Sequence, residues 1–276
     1  MNSIDKLFTI LDQFNLENPQ WGVRSLAKTT GMKASLVHWY LRNLERNRIV
    51  RKDSETQKYE LGMGLFELCG RLYKPVTLVR IANPILYRLT EITKGTSVLR
   101  ILDGDELLHI ATAESRVFLR VHYRVGTRVP INFGSVGKVI MAHLPEERFR
   151  DLVARNKIKK LTEKTVLDPA VLRRQFVQIR LRGWACTSGE GIEGAKGVAA
   201  PICDSTGEVL GGVGITFPAV VFPNSDLKKL ARMVVGAARE ISGQLGWRGA
   251  KSSSKRKKME RGSQAELSAF KNGSDS

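Results

Sequence analysis

The chain has 276 residues, 42% of them hydrophobic, enough for one large domain or two small ones and typical of a folded globular protein. It contains no run of about 18 apolar residues that would read as a membrane span, and its first residues lack the apolar core of a secretory signal. A formal net charge of +18 points to a polyanionic partner, either nucleic acid or an anionic membrane surface.

The charge is not concentrated anywhere. Residues 1–60 carry 10 Lys/Arg against 7 Asp/Glu, residues 61–247 carry 27 against 17, and residues 248–276 carry 8 against 3. Charge alone therefore does not locate a site. The three cysteines, Cys69, Cys186 and Cys203, form neither a CxxC pair nor a disulfide framework, which favours a reducing cytoplasm.

In chain order, Ile4, Leu7, Phe8, Ile10, Leu11 and Phe14 recur at helical spacing and predict an amphipathic helix ended by Asn18-Pro19. A second helix carries Leu26 and Ala27 and closes at Thr30-Gly31-Met32. A third spans Ala34 to Arg46, with Leu36, Val37, Tyr40, Leu41 and Leu44 facing inward. Ile49–Lys52 and Lys58–Leu61 flank the polar turn Asp53–Thr56 as a hairpin. Residues 63–74 predict a connecting helix closed by Pro75, and a longer helix follows to Lys94-Gly95. Strands are expected at Ser97–Leu102, Leu107–Ala113 and Phe118–Val125, then helices near Gly137–His143, 146–156 and 168–182. Strands at Val198–Cys203 and Val209–Thr216 and a last helix over Ser225–Leu245 complete the pattern. Residues 249–276 are polar and basic, with the run Lys255-Arg256-Lys257-Lys258, and predict a disordered tail. Strand pairs interleaved with helices give an α+β class.

The stretch from Val23 to Leu44 explains the N-terminal part. Two short helices hinged on one glycine, followed by a hairpin, form a winged helix-turn-helix, whose second helix enters the DNA major groove. Lys33, Ser35, His38, Trp39, Arg42 and Asn43 lie off the apolar stripe and are candidates for base edges; Arg46, Arg48, Arg51 and Lys52 are candidates for phosphates. The same pattern is compatible with a plain helical bundle that has a polar outer face.

The sequence resembles the isocitrate-lyase-regulator (IclR) type of bacterial transcription factor over residues 3–247. The resemblance rests on Leu26-Ala27, Thr30-Gly31, Ser35, Val37-His38, Leu41, Leu44-Glu45, Val50-Arg51 and Tyr59-Glu60-Leu61-Gly62. In the C-terminal part it rests on Leu102-Asp103-Gly104-Asp105, Pro130 with Gly137-Lys138, Gly183 and Val198-Ala199-Ala200-Pro201-Ile202. It implies a winged helix-turn-helix over 1–62, a linker helix over 63–76, a GAF-like α/β effector-binding domain over 77–248, and a homodimer or dimer of dimers acting on a double-stranded DNA operator. The family usually has Arg where this chain has Trp39, and an indole cannot make a bidentate guanine contact. Trp39 either reads a different operator or packs inward.

The resemblance also implies a small organic-acid effector on one face of the C-terminal sheet, under the loop Asn132–Lys138. There Ser135 and Val136 match the family's backbone donors, at a helix start that favours an anion. Thr187, Gly197, Gly214 and Thr216 form the opposite wall. Relatives that bind small oxo-acids carry Asp, Cys and Ser at the positions of Thr187, Gly197 and Gly214, so this chain is expected to have more room and to take a larger or more apolar effector, such as an aromatic or sugar acid. Glu190 and Glu193 either reach the effector pocket or, as acidic residues of a glycine-rich loop more often do, stay solvated. The basic stretch Arg148–Arg182 reads as a solvated helical face in preference to a surface for flanking DNA.

An enzyme is disfavoured. His38, His109, His122 and His143 have no metal-ligand spacing, no nucleophile elbow, phosphate loop or paired-carboxylate motif is present, and no catalytic residue or cofactor is expected. The rival reading is a ligand-independent architectural protein, for which the net charge and basic tail argue.

Overall fold

The computed structural model describes residues 2–15, 17–118, 120–221 and 227–249. The tail expected over 249–276 lies outside them beyond Gly249, as does Ser225, where the last helix was expected to start. The chain divides into two compact units, with the boundary between Val76 and Thr77.

In the first unit, α1 (Ser3–Leu11) opens with a capping box in which Asn2 and Asp5 exchange side-chain-to-backbone hydrogen bonds. It ends earlier than expected, because Asn15 Oδ1 accepts from the N–H groups of Glu17 and Asn18 and begins the turn before Pro19. Ile10 and Phe14 enter the core, whereas Ile4 and Phe8 stay on the surface. Next come β1 (Gln20–Trp21), α2 (Val23–Thr30), α3 (Ala34–Arg46), β2 (Val50–Lys52), β3 (Tyr59–Leu61) and α4 (Gly64–Gly70). Gly31 caps α2 in the left-handed conformation, φ +69°, and so permits a tight turn into α3. The expected hairpin is one side of a three-stranded sheet in the order β1-β3-β2. Strand β1 has too few residues to show a period of two in the sequence.

Pro75 does not close the connector. The helix breaks after Gly70, and Pro75 sits in the first turn of α5 (Tyr73–Thr93), where its missing N–H has no intrahelical partner to lose. From Thr77 onward α5 belongs to the second unit.

That unit is built on β4 (Thr96–Asp103), β5 (Glu106–Ala113), β6 (Arg128–Pro130), β7 (Ala185–Ser188), β8 (Ala195–Cys203) and β9 (Val209–Pro218). They form an antiparallel sheet in the order β6-β5-β4-β9-β8-β7. One face packs on α5 and α9 (Leu227–Gln244), through Leu86, Leu99, Val213, Ile215, Val234 and Ile241 among others. The other face packs on α6 (Gly134–Ala142), with α7 (Glu146–Ala154) and α8 (Pro169–Arg182) outside it, through Val98, Val136, Val139, Phe149, Leu172 and Phe176. The fold is α+β.

Of the strand expected over Phe118–Val125, Leu119 lies outside the described residues, and none of the described ones is in a strand. The edge of β5 is taken instead by β6, in the register Glu106↔Pro130 to Leu108↔Arg128. The segment before β6 is held by Thr96 Oγ1, which donates to the Val121 carbonyl at 2.8 Å, and by the Gly126 N–H, which donates to the His109 carbonyl at 2.8 Å.

The basic stretch at α7 is paired as well as solvated. Arg148, Arg155 and Lys157 converge on Asp105 in the β4–β5 turn at 2.6, 2.8 and 3.3 Å. These bonds, with that of Arg155 foremost, hold the Asp105 carboxyl down to about 2. An unfolded aspartate titrates near about 3.9, so the carboxylate stabilises the fold above that pH and loses its effect as pH falls toward about 2. Asp105→Asn is therefore expected to lower the urea midpoint at pH 7, and the gap from wild type should close between about pH 4 and about pH 2. A gap that persisted at the acid end would remove the ion cluster as its cause.

Candidate DNA-reading and effector sites

Helix α3 turns Val37, Tyr40, Leu41 and Leu44 into the core of the first unit, and its outer face follows from that phase. Lys33, Ser35, His38, Trp39, Arg42 and Arg46 are exposed along it. Trp39 points outward, 58% exposed, with its ring edge-on to Tyr40 at 5.0 Å. The alternative that it packs inward is excluded.

Asn43 is less available than the sequence implied. It is half-buried, donates to the Trp39 carbonyl at 2.8 Å, and accepts from Arg46 Nη2 at 3.0 Å. Arg42 pairs with Glu45 at 3.2 Å. In the wing, Arg51 is bound by Glu60, which also accepts from the Gln20 amide. Lys52 is half-buried, with its ammonium 5.8 Å from the Tyr59 ring centroid. The wing turn presents Lys58, a residue passed over in the sequence, where it sits among polar turn residues.

In the second unit a cleft of about 300 Å³, open to solvent, lies between the start of α6 and the sheet. Ser135, Thr187, Gly197 and Thr216 line it as expected, and so do Arg100, Tyr123, Phe133, Gly191, Ile192 and Lys196. Strand register explains the wall: Thr187 pairs with Gly197 and Gly197 with Thr216, which sets the three in a row across β7, β8 and β9. The N-cap of α6 is Phe133, which offers no side-chain cap, so the first-turn N–H groups face the cleft mouth without one.

Val136 and Gly214 do not line the cleft, and this corrects the expectation of extra room. A Cβ at Gly214 would lie 2.9 Å from Val136 Cγ2, and one at Gly197 would lie 2.9 Å from Ser135 Oγ. The space that the glycines leave is taken up by α6 itself. Glu190 is not solvated either: it is mostly buried and paired with the buried Lys138 of α6. Its backbone carbonyl also accepts from Thr165 Oγ1 at 2.8 Å, so the β7–β8 loop is pinned to α6 and its surroundings. Glu193 is exposed.

Arg100, Tyr123, Phe133 and Lys196 were not singled out from the sequence. The signal for Arg100 was present: one arginine inside the otherwise apolar run Val98-Leu99-Arg100-Ile101-Leu102. Beside it, His109 is held down to about 4 by burial first and by the Arg100 charge second, so it is neutral at pH 7. No cluster of metal-ligating side chains occurs among the described residues, and none of their helices is long and apolar enough to cross a membrane.

A winged helix-turn-helix in one unit and a polar cleft under a helix N-terminus in the other define the class of two-part DNA-binding regulators. Residues 3–54 match the IclR helix-turn-helix domain, and residues 71–243 match the C-terminal domain of the bacterial transcriptional regulator IclR. The chain belongs to the IclR family of transcriptional regulators and, like its relatives, is a regulator and not an enzyme. It is 31% identical to the HTH-type transcriptional regulator KdgR of Escherichia coli over 90% of this chain and 94% of that one. It is also 31% identical to the regulator BhcR of Paracoccus denitrificans, over 88% and 86%. The Thermotoga maritima IclR structure superposes with a TM-score of 0.75 at 29% identity, over 90% of this chain and all of that one. An IclR homologue from Microbacterium hydrocarbonoxydans, solved with 4-hydroxybenzoate, shares the fold, with a TM-score of 0.75 at 22% identity over 88% and 99%.

The glycine contacts separate two roles. Gly214→Ala is expected to destabilise the protein by about 1–3 kcal/mol, because Val136 and the Val198 carbonyl crowd the new methyl. Gly197→Ala should fold close to wild type by letting the Ser135 hydroxyl rotate, while altering the cleft. Thermal unfolding of the two variants checks this; equal losses would dissolve the distinction.

Proposed function

We propose that the chain is an operator-binding regulator whose DNA occupancy is set by a small organic acid bound in the C-terminal cleft. The outward face of α3 carries this reading. Lys33, Ser35, His38, Trp39, Arg42 and Arg46 occupy the surface that a winged helix presents to the major groove, and Asn43 holds the backbone and Arg46 in place behind it. Arg51 and Lys52 contact phosphate beside the groove, Arg51 by exchanging Glu60 for the phosphate. Two copies working as a homodimer, or a dimer of dimers, set two α3 helices in major grooves about 34 Å apart or a multiple of it, on double-stranded DNA in the cytoplasm.

The effector meets Ser135, Thr187 and Thr216 and the N–H groups at the start of α6, which favour an anion. The cleft is open to solvent and encloses little space, so the acid is small. Aromatic and sugar acids remain within the class, and a homologue of the same fold holds 4-hydroxybenzoate. A coupling of roughly 1–3 kcal/mol between the sites is enough to change operator occupancy several-fold or more.

The test is a footprint of the full chain on the DNA upstream of its own gene, at two salt concentrations, with and without a panel of organic acids. A discrete footprint that responds to one acid is expected. Diffuse binding that falls steeply with salt and ignores every acid would instead indicate an architectural protein. Trp39→Ala is expected to leave the melting temperature unchanged, because the ring is largely exposed. It should weaken operator binding by roughly tenfold or more, the scale of about 2 kcal/mol for truncating an aromatic anchor at an interface. An unchanged footprint affinity would take Trp39 out of the reader.

A further inference from the structure

Arg100 is a buried charge for which the described residues of the second unit supply no counter-ion. Its residue is 2% exposed, inside strand β4, where it pairs with Gly212 of β9 and His109 of β5. Its guanidinium carbon stands 4.6 Å from the Tyr123 ring centroid and 5.0 Å from that of Phe133. The Tyr123 phenol supports the charge, but no carboxylate among the described residues does so. Nε and Nη2 have no hydrogen-bond partner. A guanidinium does not deprotonate in a protein, and a buried charge without a counter-ion is costly. The side chain lines the cleft, so an anion entering there can reach it.

The neighbouring charges differ. Lys138 is compensated by Glu190. Phe133, beside the guanidinium, is the N-cap residue of α6, so Arg100 and the uncapped helix start border one space. The hydroxyls of Ser135 and Thr187 converge near Gly197, within 2.9 and 3.5 Å of its would-be Cβ. Tyr123 donates to Thr216 Oγ1 at 3.2 Å and thereby links the Arg100 end to the hydroxyl row.

Building on the effector reading above, we infer that Arg100 is the receptor for the effector's carboxylate, and that the effector is a small acid bearing hydroxyl or oxo groups. The carboxylate takes the two unpartnered donors, Nε and Nη2, which it reaches by displacing the side chains that bury them, and the oxygen substituents meet Ser135, Thr187 and Thr216. A neutral isostere leaves the guanidinium uncompensated, so the site distinguishes an acid from its amide as well as one acid from another.

The full chain is titrated by calorimetry, and followed by thermal unfolding, with pyruvate, gluconate and 4-hydroxybenzoate, each against its amide and against the oxygen-poor acids propionate, hexanoate and benzoate. At least one oxygenated acid is expected to bind, with its amide and its oxygen-poor counterpart at least about tenfold weaker. That is the scale of one charge-assisted hydrogen bond. Arg100→Gln should lose that acid by a similar factor while melting, without ligand, at or above the wild-type temperature. Arg100→Lys, which keeps the charge but not the fork, should fall between.

Equal binding of acid and amide to the wild-type chain, unchanged affinity in Arg100→Gln, or no binding by any of the acids overturns the inference. The acid-against-amide comparison needs no variant and stands if Arg100→Gln fails to fold. An acid that binds through Arg100 without moving the footprint would sink the gated-regulator reading alone. An acid that moves the footprint equally in Arg100→Gln would sink this inference alone.

Discussion

The C-terminal unit depends on how closely α6 approaches the middle of the sheet. A helix ordinarily packs on a sheet with side chains from both sides filling the gap. Here Gly212 and Gly214 on β9 present bare backbone, and Val136 rests on both, within 3.0 Å of where their Cβ atoms would stand. This contact fixes the height and direction of α6. The helix start, with Phe133 and Ser135, is thereby set at the row formed by Thr187, Gly197 and Thr216. The cleft is the space left where the close packing stops. A larger residue on β9 would lift the helix and open the cleft at once, so the same glycines serve both packing and site geometry.

The N-terminal unit was legible in the sequence because its determinants are local. The phase of Val37, Tyr40, Leu41 and Leu44 fixes which side of α3 is buried, and with it the exposure of Ser35, His38, Trp39 and Arg42. What escaped was the fate of individual polar side chains. The Glu60–Arg51 pair and the capture of Asn43 by its own helix depend on rotamers that periodicity does not encode. The third strand of the wing sheet, β1, is visible only through its pairing with β3.

The effector unit was legible as an order of strands and helices but not as a site. Its cleft draws on β4, the segment before β6, α6, β7, β8 and β9, so it arises from pairings between residues as far apart as Thr96 and Thr216. Comparing side-chain sizes position by position led to the expectation of extra room, because a small residue reads as empty space until its neighbour is known. Val136 and Ser135 are those neighbours. The segment 118–125 misled for a related reason. Its apolar alternation is that of a strand, yet the edge of β5 is taken by β6, and Tyr123 serves the cleft.

The unit carries two buried cations near the same helix start, and they are treated differently. Lys138 meets Glu190, and that pair closes the β7–β8 loop onto α6 whether or not a ligand is present. Arg100 meets aromatic faces and a phenol, which spread and stabilise the charge but do not neutralise it. Removing one member of the first pair strands a charge in the interior, whereas the second site already contains such a charge. A structural ion pair and a receptor for an anion both require a buried cation. They differ in whether the chain itself supplies the counter-charge, and for Arg100 none of the described residues does.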